Sequence, residues 1–323
     1  MYLSHRNLLR VLFSPLAFSL GAACLAQTPA INVTRPLATA KSDAKDALPA
    51  GMVRIPGGEF RMGIDRSEIP RYQGFFETNM LGLFESATPR HTAKLAPFFL
   101  DRSPVTNVQF FSFTRRFQHE DPSEKLARLD QPFTEEDPRS KYGDHKNLKH
   151  WVDGRVPEGL ENHPVTNITW YDAVAYCQWV GKRLPTEAEW EFAARGGGSP
   201  IFPWGDVPAD SSHANYSASK LGTTSPVGSY PPNPYGLYDM AGNVWQFTAD
   251  EWAPYSSKPA KKIQADKDPF TSEFDFLSVT TRRVIRGGSF AGAPINMWVE
   301  YRDSHPPDAA KDFVGFRCAK SAK

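Results

Sequence analysis

Between residues 163 and 198 the apolar positions twice take up helical spacing, and the polar residues around them mark helix ends. After Thr169, the residues Ala173, Tyr176, Cys177 and Val180 recur at intervals of three and four, which predicts a helix with one apolar face. Thr169 with Asp172 forms a capping box at its start, and Gly181 ends it. A basic turn follows. Thr186 with Glu189, directly after Pro185, opens a second helix that the glycines at 196–198 stop. Upstream, residues 52–63 alternate Val53 and Ile55 with polar neighbours, then place Phe60 and Met62 beyond Gly57 and Gly58, the pattern of a β-hairpin. Residues 93–111 read as a strand followed by a helix, with Thr106 and Gln109 as a third capping box. Residues 64–91 carry aromatics without a period and predict an irregular loop that either shapes a substrate cleft or is a variable surface. Residues 118–150 are highly charged and predict an excursion over the surface, in which His145 and His150 lack ligand spacing and are expected to be solvated. The tetrapeptide Pro-Val-Thr-Asn stands at 104–107 and again at 164–167, each time just before a helix.

Composition narrows the class. The chain has 323 residues, 40% apolar and 23% charged, as an ordinary globular protein has. A net charge of +1 gives no footing to a nucleic-acid or acidic-membrane partner. With 28 Pro, 23 Gly and 13% aromatics, short elements and much irregular backbone are expected. At the N-terminus His5, Arg6 and Arg10 precede an apolar run over 11–25 that is too short to span a bilayer, followed by Ala26. Residues 1–26 therefore predict a signal peptide cleaved after Ala26. The alternative is a lipid anchor on Cys24, although Gly21 stands where a lipobox wants an aliphatic residue. Both readings imply export to an oxidising compartment, periplasmic or secreted. Residues 27–50 predict a disordered spacer and 51–320 one domain.

The wording of several stretches goes beyond what generic elements need. These are MVRIPGGEFRMG at 52–63, NITWYDAVAYCQWVGKRLPTEAEWEFAARGG at 167–197 and NPYGLYDMAGNVWQFTADEW at 233–252. The closing stretch runs from Arg286-Gly287-Gly288-Ser289 to Gly315-Phe316-Arg317-Cys318. Together and in this order they resemble the formylglycine-generating enzymes, or sulfatase-modifying factors. The resemblance implies an α+β fold, a single C-type-lectin-like variant domain with much irregular backbone.

It also implies where chemistry would sit. Enzymatic members oxidise a client cysteine with oxygen and a copper ion held by two thiolates, the soft donors that select monovalent copper. Counted from Ser289, those positions here are Gly292 and Met297, so copper is not expected. The three cysteines are Cys24, Cys177 and Cys318. In exported relatives the last two positions form a disulfide, which implies the same pairing here. The family's calcium site falls on Asp239, Gly242, Val244 and Gln246, hard oxygen donors, although the family usually has Glu at the last position. A second site would use Asn215 and the Tyr216 carbonyl, with Ser219 where an acidic residue is wanted. The presumed substrate cleft holds Trp245, Ser289, Trp298, Glu300, Tyr301, Arg302, Asp303 and His305. Glu300, Asp303 and His305 on one loop offer an acid–base set; alternatively Arg302 pairs with a carboxylate and fixes that loop. Ser289 has no nucleophile-elbow context and doubles as a turn residue. There is no His-Glu-x-x-His, no Cys-x-x-Cys and no phosphate loop. Two functions follow: a periplasmic maturation factor or oxidase-like enzyme, an oxidoreductase acting on a peptide-like substrate with altered chemistry, as in a cysteine-lacking periplasmic member that serves siderophore maturation, or a non-catalytic peptide- or glycan-binding module. True formylglycine generation ranks below both.

Overall fold

The computed structural model describes residues 48–115, 148, 151, 154–255 and 276–322, all within one compact unit, Asp43–Lys323. His145, His150, Cys24, Ala26 and most of the predicted spacer lie outside the described residues.

The chain opens with β1 (Met52–Ile55) and β2 (Gly58–Met62). They do not pair with each other as the hairpin pattern predicts. Gly57, at φ 68°, lies so close to the backbone of Leu95 and Ala96 that a Cβ would come within 2.6 Å of it. The turn therefore carries the chain from one sheet to another. Residues 64–91 also depart from the expected loop: they form α1 (Ile69–Phe75) and α2 (Gly82–Glu85) before β3 (His91–Leu95) begins. The aromatics that break any surface period here are inward-facing, and their burial makes these short helices stable where their propensity alone would not. β4 (Phe98–Asp101) precedes α3 (Asn107–Thr114), so the strand predicted at 93–111 is two. Then come α4 (Trp170–Trp179), α5 (Glu187–Ala194), β5 (Trp245–Glu251), β6 (Arg283–Arg286), β7 (Asp303–His305), β8 (Val314–Phe316) and β9 (Ala319–Ser321).

Three small sheets result, ordered β1-β4-β9, β2-β3 and β7-β6-β5-β8, with β5 and β8 parallel. All three capping boxes form. The Thr106, Thr169 and Thr186 backbone N–H groups donate to Gln109, Asp172 and Glu189 at 2.9, 2.8 and 2.8 Å. On α4 the predicted face buries Ala173, Tyr176 and Cys177. Tyr176 stacks on Phe110 of α3 at 5.6 Å and meets Phe316 of β8 at 5.5 Å. The two Pro-Val-Thr-Asn copies meet each other: Thr106 bridges Pro164 in antiparallel fashion, and Val165 N–H donates to Val105 O at 2.9 Å. Cys177 is bonded to Cys318 in a disulfide buried in this core.

Candidate functional site

Helix α5 has the sequence EAEWEFAA, and it turns its carboxylates inward. Glu187 and Glu191 stand one turn apart, with Arg195 one turn further, so all three line one face. From β6 the fully buried Arg286 reaches both carboxylates, donating from Nη1 to Glu187 Oε1 at 3.2 Å and from Nη2 to Glu191 Oε2. Arg302 grips Glu187 with Nε and Nη2 at 2.6 and 2.9 Å, the bidentate fork a guanidinium offers a carboxylate. Arg195 donates from Nη2 to Glu191 Oε1 at 2.8 Å and to Glu300 Oε1 at 2.9 Å. Three glutamates and three arginines thus form one buried chain of alternating sign. Burial works against every charge in it. Glu191, between two guanidiniums, is nevertheless held below the usual carboxylate range. Glu300 has one guanidinium, that of Arg195, on its carboxylate, and burial pushes it up to about 7.

Around this chain the predicted site residues separate. Asp303 and His305 lie on β7 rather than on a loop, because β7 pairs with β6 (Arg283 opposite His305, Ile285 opposite Asp303). Glu300 turns its carboxylate to Arg195, whereas the His305 ring packs against Phe247 and Phe313 at 5.9 and 6.4 Å. The expected acid–base set is therefore not assembled. Burial, then Arg282 and Lys311, lower the His305 pKa and keep the ring neutral near pH 7. Asp303 Oδ1 accepts from Ser304 N–H at 2.7 Å, and Ser289 Oγ from Ala291 N–H at 3.4 Å, the turn role. Nor do Trp245, Trp298, Tyr301 and Arg302 line an open cleft, since all four are buried. Trp298, at 0% exposure, lies under rings from 64–91: Tyr72 at 4.5 Å, Phe84 at 5.7 Å and Phe76 at 6.0 Å. Arg302 does fix its segment through Glu187, and it donates to the Ser86 and Ala253 carbonyls at 2.8 and 3.1 Å. An open surface pocket exists elsewhere, bounded by Trp204, His213, Tyr230 and Asp239.

Most of the side-chain donors expected for metals are already engaged. A Cβ at Gly292 would meet Asn296 Oδ1 and Ser289 O at 3.2 Å, and Met297 is buried, so the two copper positions offer one inward thioether and no thiol. At the first calcium position Gln246 Oε1 accepts from Arg317 Nε at 2.6 Å and Trp190 Nε1 at 3.0 Å, while Gln246 Nε2 donates to Asp239 O at 2.7 Å. Arg317 also donates to Asp239 O at 3.0 Å, so a buried cation stands against the donors a dication would need. The Asp239 carboxylate takes hydrogen bonds from Gly228 N–H at 2.8 Å and Asn243 Nδ2 at 3.3 Å. At the second position Ser219 Oγ accepts from Tyr216 N–H at 3.1 Å and donates to Ala214 O at 3.0 Å, closing the loop without an ion. Asn215 Oδ1 alone stays unpaired there, a neutral oxygen where calcium takes six to eight oxygens, carboxylates among them. These donors do not fit calcium.

A family profile described as "Sulfatase-modifying factor enzyme 1-like domain" matches residues 37–322. The chain belongs to this family. Among its relatives, "Formylglycine-generating enzyme" of Streptomyces coelicolor is 34% identical over 307 residues, covering 84% of this chain and 90% of the relative. The enzyme of the same name from Bos taurus is 31% identical and covers 84% and 75%. Among solved structures, PvdO from Pseudomonas aeruginosa superimposes with a TM-score of 0.56 at 25% identity, over 84% of this chain and 94% of that one. The expected α+β, C-type-lectin-like domain of the sulfatase-modifying factors is thus the fold observed. Sequence reasoning missed the ion chain through Glu187, Glu191, Arg195 and Arg286. Its signal was present in the spacing of 187, 191 and 195, three charges at one-turn intervals in a helix with few polar partners nearby.

Proposed function

We propose that this chain is an exported maturation factor of the sulfatase-modifying factor family that acts on a peptide-like substrate without a thiolate–copper centre. One observation carries the reading. The cysteines of the described residues, Cys177 and Cys318, are committed to a buried disulfide, and Gly292 and Met297 occupy the positions where the family's thiolates would stand. Met297 contributes a thioether at most, and one thioether is a poor substitute for two thiolates at monovalent copper. The family's formylglycine-generating members supply the precedent for a peptide substrate.

Two measurements test the proposal. Native protein treated with an alkylating agent should take up no label until it is reduced, and incubation with copper(I), oxygen and a cysteine-containing sulfatase peptide should form no aldehyde on the peptide. Aldehyde formation would overturn the assignment. In the host, disrupting the gene should lead to accumulation of an unmatured peptide-like precursor by mass spectrometry; an unchanged peptide profile would refute maturation.

A second reading, a peptide- or glycan-binding module, has its own support. Glu300 and His305 have separate partners, and Trp204 stacks between Phe202 and His213 at 4.7 and 4.9 Å beside the open pocket. The double variant Glu300→Gln, His305→Ala separates the two. It abolishes maturation in the host if these groups do chemistry, whereas maturation that persists, lowered by no more than one lost binding contact, leaves the chain a binding module.

A further inference from the structure

The strongest unexplained feature is two buried polar atoms two residues apart in sequence, the first of them on the ring that the 69–85 segment covers. Trp298 Nε1 and Glu300 Oε2 are both sealed from solvent and have no hydrogen-bond partner among the described residues. An unpaired buried donor or acceptor costs about 1–3 kcal/mol, so two of them within three residues of one turn, where Tyr301 N–H donates to Trp298 O at 2.9 Å, call for a partner beyond the described side chains. Tyr72 ties the pair to one place. Its ring lies 4.5 Å from that of Trp298. Its hydroxyl, pushed up to about 12 first by burial, feels the Glu300 charge as the largest of its charged neighbours.

The cover over these atoms is attached asymmetrically. Arg90 holds the approach through Asp65 and Glu68 at 3.0 and 2.5 Å, and Arg302 holds the exit through Ser86 O at 2.8 Å. Between these ties, the hydrogen bonds of residues 69–85 among the described residues close within residues 66–88, including Thr78 N–H to Gln73 O and the exposed Arg66–Glu85 pair. Contact with the body is made by the rings of Tyr72, Phe75, Phe76 and Phe84. Glu77 at φ 51° sits between the two helices, and Met80, 65% exposed, stands at the tip. A segment stapled at both ends and held in its middle by ring packing opens by losing apolar contact, without breaking any buried ion pair.

We infer that residues 69–85 form a lid over a binding subsite whose polar floor is Trp298 Nε1 and Glu300 Oε2, and that this subsite takes a secondary amide. The indole N–H matches an amide carbonyl, and the carboxylate oxygen matches an amide N–H. The inference rests on the peptide-like substrate proposed above and adds the group that is recognised and the element that admits it. Trp298 and Glu300 are the binding residues; Tyr72, Phe76 and Phe84 act by closing over them.

The test uses full-length protein labelled with 5-fluorotryptophan, the Trp298 resonance being identified by its loss in Trp298→Phe. The probe is N-acetylglycine N-methylamide, a single blocked peptide unit. The Trp298 line should shift saturably with probe, and Phe76→Ala, at a half-buried position, should tighten binding about fivefold by loosening the lid. Glu300→Gln keeps the shape and loses the charge, and should weaken binding by about the same factor. Hydrogen exchange provides a readout free of variants: residues 69–85 should exchange faster than α4 and slow when probe is added. A Trp298 line that never moves overturns the subsite, and 69–85 protected as well as α4 overturns the lid. Both readouts report binding alone. A chain that binds the amide but matures nothing keeps the subsite and loses only the maturation reading.

Discussion

Cutting the Cys177–Cys318 bridge should cost a large part of the protein's stability, and the chain itself sets the scale. The two cysteines are 141 residues apart, and closing a loop of that length removes about 5 kcal/mol of conformational entropy from the unfolded state. Little of this is offset by relaxation of the native state, because the end of α4 is anchored independently. Arg183 and Ala319 exchange backbone hydrogen bonds at 2.9 and 2.7 Å, and Lys182 Nζ lies 2.5 Å from Asp101 Oδ1. The double variant Cys177→Ala, Cys318→Ala also vacates two sulfur sites in a packed core, which adds about 1 kcal/mol. Guanidinium unfolding should therefore show a loss of about 4–6 kcal/mol for the variant, a similar loss for wild type in reductant, and a steeper denaturant dependence in both, since an uncrosslinked chain exposes more surface. Against a usual total of about 5–15 kcal/mol, such a protein would be marginal in a reducing compartment. A loss under about 1 kcal/mol with unchanged slope would refute the argument, because it would mean that the unfolded chain is already held compact by something else.

Three further perturbations follow from the same geometry. Glu191→Gln leaves Arg195 and Arg286 facing a neutral group in the interior, and denaturant unfolding should show a loss of about 3–5 kcal/mol; under about 1 would mean that the ion chain contributes nothing. Asp250 is raised from 3.8 to about 7 by burial and then by Glu187. Between those values the folded state holds a proton that the unfolded state has released, so stability falls as pH rises through the window. Asp250→Asn should accordingly gain ~2 kcal/mol over wild type near pH 8 and almost nothing near pH 4, and a gain independent of pH would contradict the assignment. Because Arg317 and Ser219 occupy the roles an ion would have, neither a chelator nor excess calcium should move the melting temperature; a rise with calcium would show that Asp239 and Gln246 rearrange to bind it.

The parts of the fold that announce themselves are those whose cause is local. Thr169 with Asp172 and Thr186 with Glu189 satisfy the first N–H groups of their own helices, so the helix starts can be read within four residues. The partners of β1 and β2 cannot be read that way. The alternation of Val53 and Ile55 says that a strand has a buried face, but whether it pairs across Gly57 or with β4 depends on Leu95 and Ala96, some forty residues on. Residues 64–91 failed for a related reason. Tyr72 and Phe76 stand four apart, as on a helix, but the helices here are short and their burial is set by one distant ring, that of Trp298, on which both and Phe84 converge. At the site the residue types were legible and the grouping was not. Glu300 and His305 are five residues apart in sequence, yet β7 pairing holds one against the aromatic core while Arg195 draws in the other.

The ion chain explains why those groups parted. A helix such as α5 that buries Glu187, Glu189 and Glu191 must find a cation for each. It does so with Arg183 for Glu189 at 2.6 Å, Arg286 and Arg302 for Glu187, and Arg195 and Arg286 for Glu191. Within the six-membered chain, charges balance only when Glu300 is ionised, and Glu300 is its terminal carboxylate, with one oxygen on Arg195 and the other unpaired. An inner member could not serve a ligand without breaking two ion pairs. The terminal member can accept an outside donor at Oε2 while Oε1 still anchors it. Glu300 is thus the one carboxylate of the chain placed to belong to both the scaffold and the covered subsite, and ligand binding there would complete a network that the fold leaves one hydrogen bond short.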